Sequence, residues 1–277
     1  NLMLIHLDNR SLLKISGSDA ESFLQAQLSN NINEIDSSSI QLNAYCQHQG
    51  KMLALFWVMR SNDDFLLSFP LDLLEIIKSR LQMFVIMSDV TIDDVSDDYL
   101  QIGVIDENQN NAFTINNKLS LIITRPNEIE KYSMSSKDIW DKACIDSSLP
   151  EIYLLTSEKM VPQMLNLDID EIGVNFSKGC FPGQEVVARL HYLGVAKRRL
   201  FAFESDSEIN VGDALFCSTS KSAKARGARY KASGMVVSKV KYNTQFYCLA
   251  TLEVASKDEK VTLNNEQGPI LKRIKNE

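Results

Sequence analysis

The sequence predicts an α+β fold, in which a body of alternating strands and short amphipathic helices is followed by a small all-β domain closing as a barrel. Helical apolar spacing recurs over residues 20–28 and 71–81, between segments of strand character. From about residue 200 no helical stripe is evident, and short apolar runs separated by turn residues take over. At roughly 150 residues per domain, 277 residues correspond to about two domains. The division expected is a body over 1–195, built of two interleaved subdomains, and a barrel over 196–277.

Each element has its own signal. Leu2 to Leu7 and Leu12 to Ile15 read as strands on either side of the turn-like Asp8-Asn9-Arg10. Ser18 with Glu21 three residues later reads as a capping box, and Ala20, Phe23, Leu24, Gln27 and Leu28 form the stripe of the first helix, which Asn30-Asn31 ends. Strands are expected at 40–47, 52–59 and 64–69, with Gly50 turning between the first two. Pro70 opens a second helix bearing Leu71, Leu74, Ile77 and Leu81. Further strands fall near 99–105 and 119–124, and Ser135 with Asp138 begins a helix bearing Ile139, Trp140 and Ala143. In the barrel the best strands are 235–241 and 245–251, around Asn243-Thr244.

Composition removes several functional classes. No run of about 18 apolar residues occurs, so no membrane span is expected. The opening residues lack a basic region and a small-residue cleavage site, and five widely spaced cysteines without a C-x-x-C fit a reducing compartment, so a cytoplasmic location is expected. His6, His48 and His191 form no i, i+4 pair, and no metal site is expected.

Charge is divided unevenly. The net charge is −7, yet residues 178–252 hold twelve Lys/Arg against five Asp/Glu. Between Asp213 and Glu253 there is no acid, while Lys221, Lys224, Arg226, Arg229, Lys231, Lys239 and Lys241 supply seven cations. Such a stretch is either a solvated face or a basic patch for a phosphate-bearing partner. Residues 81–117 are the converse, with seven acids and no base.

Residues 175–199 carry the strongest chemical signal. Gly179 and Gly183 bracket Cys180 and Pro182, and Gln184 to Leu190 reads as helical, so the loop is expected to offer backbone N–H groups at a helix start. A helix start and the neighbouring Lys178 both favour thiolate over thiol, which makes Cys180 the candidate reactive residue. Its bland alternative is a small core residue, the reading given to Cys46, Cys144, Cys217 and Cys248. No nucleophile-plus-base set, nucleotide-binding glycine motif or Walker sequence accompanies it.

The octapeptide Lys178-Gly179-Cys180-Phe181-Pro182-Gly183-Gln184-Glu185 resembles the K-G-C-Y/F-x-G-Q-E signature of the YgfZ proteins, relatives of the glycine-cleavage T protein (aminomethyltransferase). Upstream, Pro162-Gln163 with Asn166 and Asp168 resembles that family's P-Q-x-x-N-x-D stretch. Downstream, Val187-Ala188-Arg189 and Lys197-Arg198 resemble its V-A-R and K-R, and near the start Leu24-Gln25-Ala26-Gln27 and Gly50-Lys51-Met52 resemble its L-Q-x-Q and G-K-M. The resemblance implies a folate-binding body of the T-protein type with a terminal barrel. It implies tetrahydrofolate, or a one-carbon derivative, as cofactor, and iron–sulfur enzymes, some of them tRNA-modifying, as partners. Cys180 and Lys178 become the expected reactive pair, and Asn166, Asp168, Lys178, Gln184, Glu185 and Arg189 the expected folate contacts. Cys144 to Pro150 resembles the T protein's R-L-E-A-G region, placing Asp146 where a carboxylate would receive the pterin N–H edge through paired strong hydrogen bonds.

One departure limits the chemistry. The T protein carries two aspartates just after its hairpin glycines, and the corresponding residues here are Leu53 and Ala54, which hold neither proton nor charge. Aminomethyl transfer is therefore not expected. Two alternatives stand beside the leading one: a folate-dependent one-carbon transferase using Asp146 or Asp168, and an RNA-binding module using the basic C-terminal stretch.

Overall fold

The computed structural model describes residues 3–106, 109–217 and 232–275. They divide into two compact units, the first comprising Asn1–Trp140, Ile152–Pro162 and Leu167–Ala188, the second Asp141–Glu151, Gln163–Asn166 and Arg189–Glu277. The basic positions Lys221, Lys224, Arg226, Arg229 and Lys231 lie outside the described residues.

In chain order the first unit contains β1 (Met3–His6), β2 (Arg10–Ser16), α1 (Ala20–Gln27), β3 (Gln41–Cys46), β4 (Met52–Ser61), β5 (Asp64–Pro70), α2 (Leu74–Met83), β6 (Thr91–Asp94), β7 (Leu100–Ile105), β8 (Phe113–Thr114) and β9 (Leu119–Thr124). Two antiparallel sheets result, ordered β3-β4-β5-β2-β6 and β1-β7-β9-β8. The strands on either side of Asp8 and Asn9 part company here, since β1 pairs with β7 while β2 pairs with β5 and β6. Apolar residues run unbroken from Met52 to Met59 in β4, and all of them are buried, as a strand covered on both faces requires.

Two local readings change in the structure. The capping box does not form: the Ser18 amide and hydroxyl both donate to the Asp89 carboxylate, at 2.9 and 2.8 Å, and Glu21 pairs with the Arg60 guanidinium at 3.1 Å. A charged partner outcompetes the neutral amide that each side chain would have met. After Pro70 the chain first makes a 3-10 turn over Leu71–Leu73, which shifts the phase of the stripe. Leu73, Leu74, Ile77 and Leu81 are thus buried, and Leu71 is turned 48% into solvent.

Polar groups stitch the core where the strands converge. Arg10 Nε donates to Ser68 Oγ at 2.8 Å, the Ser68 hydroxyl donates to the Gln101 side-chain oxygen, and the Gln101 amide donates to the Ser11 carbonyl at 3.0 Å. The Arg10 guanidinium also lies 3.5 Å from the Trp57 ring centroid. Trp57 meets Trp140 edge-on at 6.4 Å, and Trp140 lies flat on Gly103.

The second unit contains the rest of α3 (Lys137–Asp146) and the strands β10 (Arg198–Ser205), β11 (Ala214–Cys217), β12 (Gly234–Tyr242), β13 (Gln245–Glu253), β14 (Val261–Leu263) and β15 (Ile270–Ile274). These six close a barrel in the order β10-β13-β12-β11-β14-β15, with β15 returning to β10. Every strand gives the core one buried apolar side chain or more: Phe203, Leu215, Val236, Cys248, Val261 and Leu271. The β12–β13 turn places Asn243 at a φ of +55°, a conformation asparagine tolerates better than most residues. Among the described residues no helix is long and apolar enough to cross a membrane.

A Cβ added at Gly103 would fall 2.4 Å from the buried Trp140 ring, and a rigid indole cannot yield as a flexible side chain would. Gly103→Ala should lower the free energy of urea unfolding by about 1–3 kcal/mol, the usual range for overpacking. An unchanged midpoint would show that the ring does not pack as described.

Candidate functional site

The segment 172–184 is laid over the segment 25–31 by a set of hydrogen bonds with little redundancy. Ser29 donates to the Gly173 carbonyl at 2.6 Å and accepts from the Ala44 amide at 2.8 Å, while the Asn175 amide donates to the Ser29 carbonyl at 3.0 Å. The buried Asn30 side chain donates to the carbonyls of Leu42 and Ile172, at 3.0 and 3.3 Å. Two motif regions that lie about 150 residues apart in the chain, L-Q-x-Q and K-G-C, are thereby joined.

Lys178 completes the junction. Its ammonium donates to the carbonyls of Gln25 at 2.6 Å, Asn30 at 3.0 Å, and Leu28. These lie at and just beyond the carboxyl end of α1, where helical carbonyls lack partners and the dipole favours a cation. The Phe181 ring, 7% exposed, lies with its centroid 5.4 Å from the same nitrogen. Burial pushes the Lys178 pKa down from 10.5 to about 8.

Beyond Phe181 the loop turns through Gly183, at a φ of +80°, into α4 (Gln184–Leu193). A Cβ on Gly183 would stand 2.5 Å from the Gln47 carbonyl oxygen and 2.7 Å from the Gly50 Cα, so the hairpin glycine and the loop glycine meet with no room for a side chain. The amides of Gln184, Val186 and Val187 are taken by the carbonyls of Phe181 and Gly183.

Cys180 is exposed. It opens on a shallow pocket of about 460 Å³ along α1, lined also by Ser18, Glu21, Ser22, Gln25 and Asn33. The Lys178 ammonium next to it in sequence is committed to the carbonyls of Gln25, Leu28 and Asn30, and the Gln184, Val186 and Val187 amides bond within the loop. The other thiols differ in kind. Cys46 and Cys248 are buried, and burial pushes the Cys46 pKa to about 12 and raises that of Cys248. The half-buried Cys217 is pushed up to about 11, by burial first and by Glu259 second.

The other expected contacts are dispersed. Gln184 donates to the Gly179 carbonyl at 3.3 Å and so braces the loop. Glu185 and Arg189 are exposed on α4. Asn166, with a φ of +59°, bonds the Leu200 backbone through both its amide and its carbonyl oxygen, at 3.1 and 3.4 Å, and thus holds β10. Asp168 precedes a short 3-10 turn in the first unit. Asp146 ends α3 in the second unit and pairs with Lys142 at 2.6 Å. Leu53 and Ala54 are buried in β4, and the Leu53 carbonyl accepts from Ser157 at 2.7 Å. Sequence reasoning missed the Glu21–Arg60 pair and Ser18 and Ser22 as pocket walls, because it gave Ser18 and Glu21 to a capping box and Ser22 carries no signal of its own.

No family model matches the chain. A Haemophilus influenzae protein described as uncharacterized is 32% identical over 216 residues, covering 75% of this chain and 76% of that protein. The tRNA-modifying protein YgfZ of Colwellia psychrerythraea is 29% identical over 238 residues, covering 74% of this chain and 72% of its own length. Its counterpart in Aliivibrio fischeri is 24% identical over 269 residues, covering 87% and 82%. Among solved structures, the glycine cleavage system aminomethyltransferase T of Bartonella henselae superposes with a TM-score of 0.72, covering 99% of this chain and 85% of that one at 12% identity.

Lys178→Met should cost about 2 kcal/mol or more in chemical denaturation near pH 7, because carbonyls at the end of α1 lose a charged donor. The pH dependence has a definite sign. With the folded-state pKa at about 8 and the free value at 10.5, the unfolded chain holds this proton more tightly, so stability from the group grows as pH rises between those values. Wild type should therefore gain on the variant between about pH 7 and about pH 9.5. A constant difference would mean that the ammonium is not buried as described.

Proposed function

The chain belongs to the YgfZ family, and from that premise we propose that it binds a reduced folate and supports iron–sulfur enzymes, tRNA-modifying ones among them, with Cys180 as its reactive thiol. The observation that carries the thiol part is the contrast among cysteines: Cys180 alone of the five is exposed, on a pocket and on a braced loop, while Cys46 and Cys248 are buried in the cores of their units. Nucleophilic thiols need access as well as ionisation, and core thiols have neither.

For folate the support is the family and its fold, and the residues present fit it unequally. Asp146 fits. Its carboxylate is exposed, and its pairing with Lys142 within one helix is of the weak, exchangeable kind, so it remains able to accept a planar N–H edge. Lys178 and Asn166 do not fit, because their polar groups are committed to backbone. The folate would supply or accept a one-carbon unit when bound. The chain's own part is to bind and orient it, and the apolar Leu53 and Ala54 give no group that could move a proton, so aminomethyl transfer is not part of this reading. A cytoplasmic setting suits the reduced thiols, and the basic stretch Lys221 to Lys241 is kept as the RNA-facing alternative.

Calorimetric titration with tetrahydrofolate should give a dissociation constant in the micromolar range or tighter, about −8 kcal/mol at 1 μM. Asp146→Asn should weaken it about tenfold, the scale of one charge-assisted hydrogen bond. No heat at millimolar ligand would remove folate from the reading.

Brief substoichiometric alkylation near pH 7, mapped by mass spectrometry, should label Cys180 first, and Cys180→Ala should leave stability nearly unchanged, as expected for an exposed side chain. First labelling at any of the other four cysteines would sink the assignment.

A further inference from the structure

The end of α2 gathers apolar side chains that the core does not use. The helix buries Leu74, Ile77 and Leu81, yet Ile76 is exposed, and the chain leaves the helix through Met83, Phe84, Val85, Ile86 and Met87, an unbroken apolar run. Met83 and Ile86 are each 71% exposed, and Met87 is fully so. Single apolar residues on a surface are ordinary, whereas a contiguous patch rimmed by polar groups marks an interaction site. The run is anchored at both ends. At its start the Phe84 amide donates to the Leu81 carbonyl at 3.1 Å. Beyond its end the Ser18 amide and hydroxyl donate to the Asp89 carboxylate, the Asp89 amide donates to the Asp19 carboxylate at 2.7 Å, and the Asp19 amide donates to the Asp89 carbonyl at 3.1 Å. A Cβ on Gly17 would stand 2.1 Å from that carbonyl oxygen, so the two backbones close on each other with no room to slide. Between these anchors Met87 keeps a φ of +50°, a conformation uncommon for any residue but glycine.

The rim of this tip is acidic. Residues 81–98 carry Asp89, Asp93, Asp94, Asp97 and Asp98 and no base, and all five aspartates are exposed. The nearby cations are engaged elsewhere: Lys14, opposite Asp93 across the β2–β6 ladder, pairs with Asp64 at 3.7 Å, and the Arg125 guanidinium lies 4.2 Å from the Tyr99 ring centroid. On α2 itself Lys78 and Arg80 are half-buried, and the Arg80 guanidinium is 5.9 Å from the Phe84 ring centroid. We propose that the tip is a docking surface for a basic amphipathic segment of another protein, whose apolar side chains cover Met83, Ile86 and Met87 while its lysines and arginines meet the aspartates. Charge selects this occupant. A nucleic acid or an anionic lipid surface is repelled by such a rim, and a second copy of the chain on a twofold axis would set aspartates against aspartates. Methionine suits the task, because its flexible thioether adapts to partners of varied shape. The inference rests on the reading of the chain as a supporter of other proteins and adds the surface at which one is met; enzymes that act on tRNA have the basic surfaces that phosphate binding requires.

Fluorescence anisotropy with two synthetic probes decides the matter, an amphipathic helix of leucine and lysine and its counterpart with glutamate in place of lysine. Wild type should bind the lysine probe about tenfold or more tighter than Ile86→Ser/Met87→Ser does, as loss of two apolar contacts requires, and it should not bind the glutamate probe. Its affinity should fall as salt rises towards ~0.15 M, and Asp93→Asn/Asp97→Asn should flatten that dependence. Ile270→Ser, an exposed apolar change in the second unit, should behave as wild type. All these side chains are exposed, so urea midpoints should stay in place; if the Ile86/Met87 variant does not fold, the contrast between probes and the aspartate variant decide. Equal binding of the lysine probe by wild type and by Ile86→Ser/Met87→Ser, or equal binding of both probes by wild type, overturns the proposal. So does a dimer in sedimentation, or flotation with phosphatidylcholine vesicles, that the same variant abolishes, since the occupant is then a second copy or a lipid surface. Folate titration and Cys180 labelling read the preceding proposal separately, and their success beside a failed docking result sinks this surface alone.

Discussion

A lysine ammonium held by main-chain carbonyls at the end of a short helix is the contact on which the candidate site depends. A helix of eight residues has little intrinsic stability in water and leaves its last carbonyls without partners. Lys178 supplies three donors at that point, and in doing so fixes the residues on either side of it. Cys180 is two positions further on, so the place of the thiol follows from where the ammonium is anchored. The cost is the desolvation that lowers the Lys178 pKa, which the charge-assisted bonds and the negative end of the helix dipole offset only in part.

The same loop depends on close backbone approach. Gly183 and Gly50 meet where neither could carry a Cβ without strain, and both have positive φ. Contact at that distance presses the β3–β4 hairpin against the start of α4, which gives the G-K-M and G-Q-E segments a shared physical reason: each supplies one side of a glycine-to-glycine contact. Gly103 beneath Trp140 applies the same principle in the core of the unit, with an aromatic face in place of a backbone.

Charge and burial then separate the cysteines into two kinds. Cys46 and Cys248 are core residues whose thiols are driven towards the neutral form by their surroundings. Cys180 is neither buried nor beside a free cation, and its pocket is walled by hydroxyls, amides and a carboxylate. A thiol so placed is accessible, whereas those of Cys46 and Cys248 are not.

Much of this was legible in the sequence. Most elements of the first unit, the hairpin at Gly50, the turn at Asn243 and the change to an all-β barrel rest on local periodicity and turn chemistry, which a single stretch of chain expresses by itself, whereas the short β6 within the acidic segment and β8 carry no such signal. The signature around Cys180 marked the site for the same reason: its residues are contiguous. What sequence could not express was which long-range partner each polar group would choose. Ser18 and Glu21 have the spacing of a capping box, yet Asp89 and Arg60, 71 and 39 residues away, take them. Lys178 is adjacent to the thiol loop in sequence, yet it bonds carbonyls about 150 residues earlier. Local propensities set the elements because their energies depend on near neighbours; the direction of a long charged side chain is set by whichever acceptors the folded chain brings within reach, and only the tertiary structure decides that.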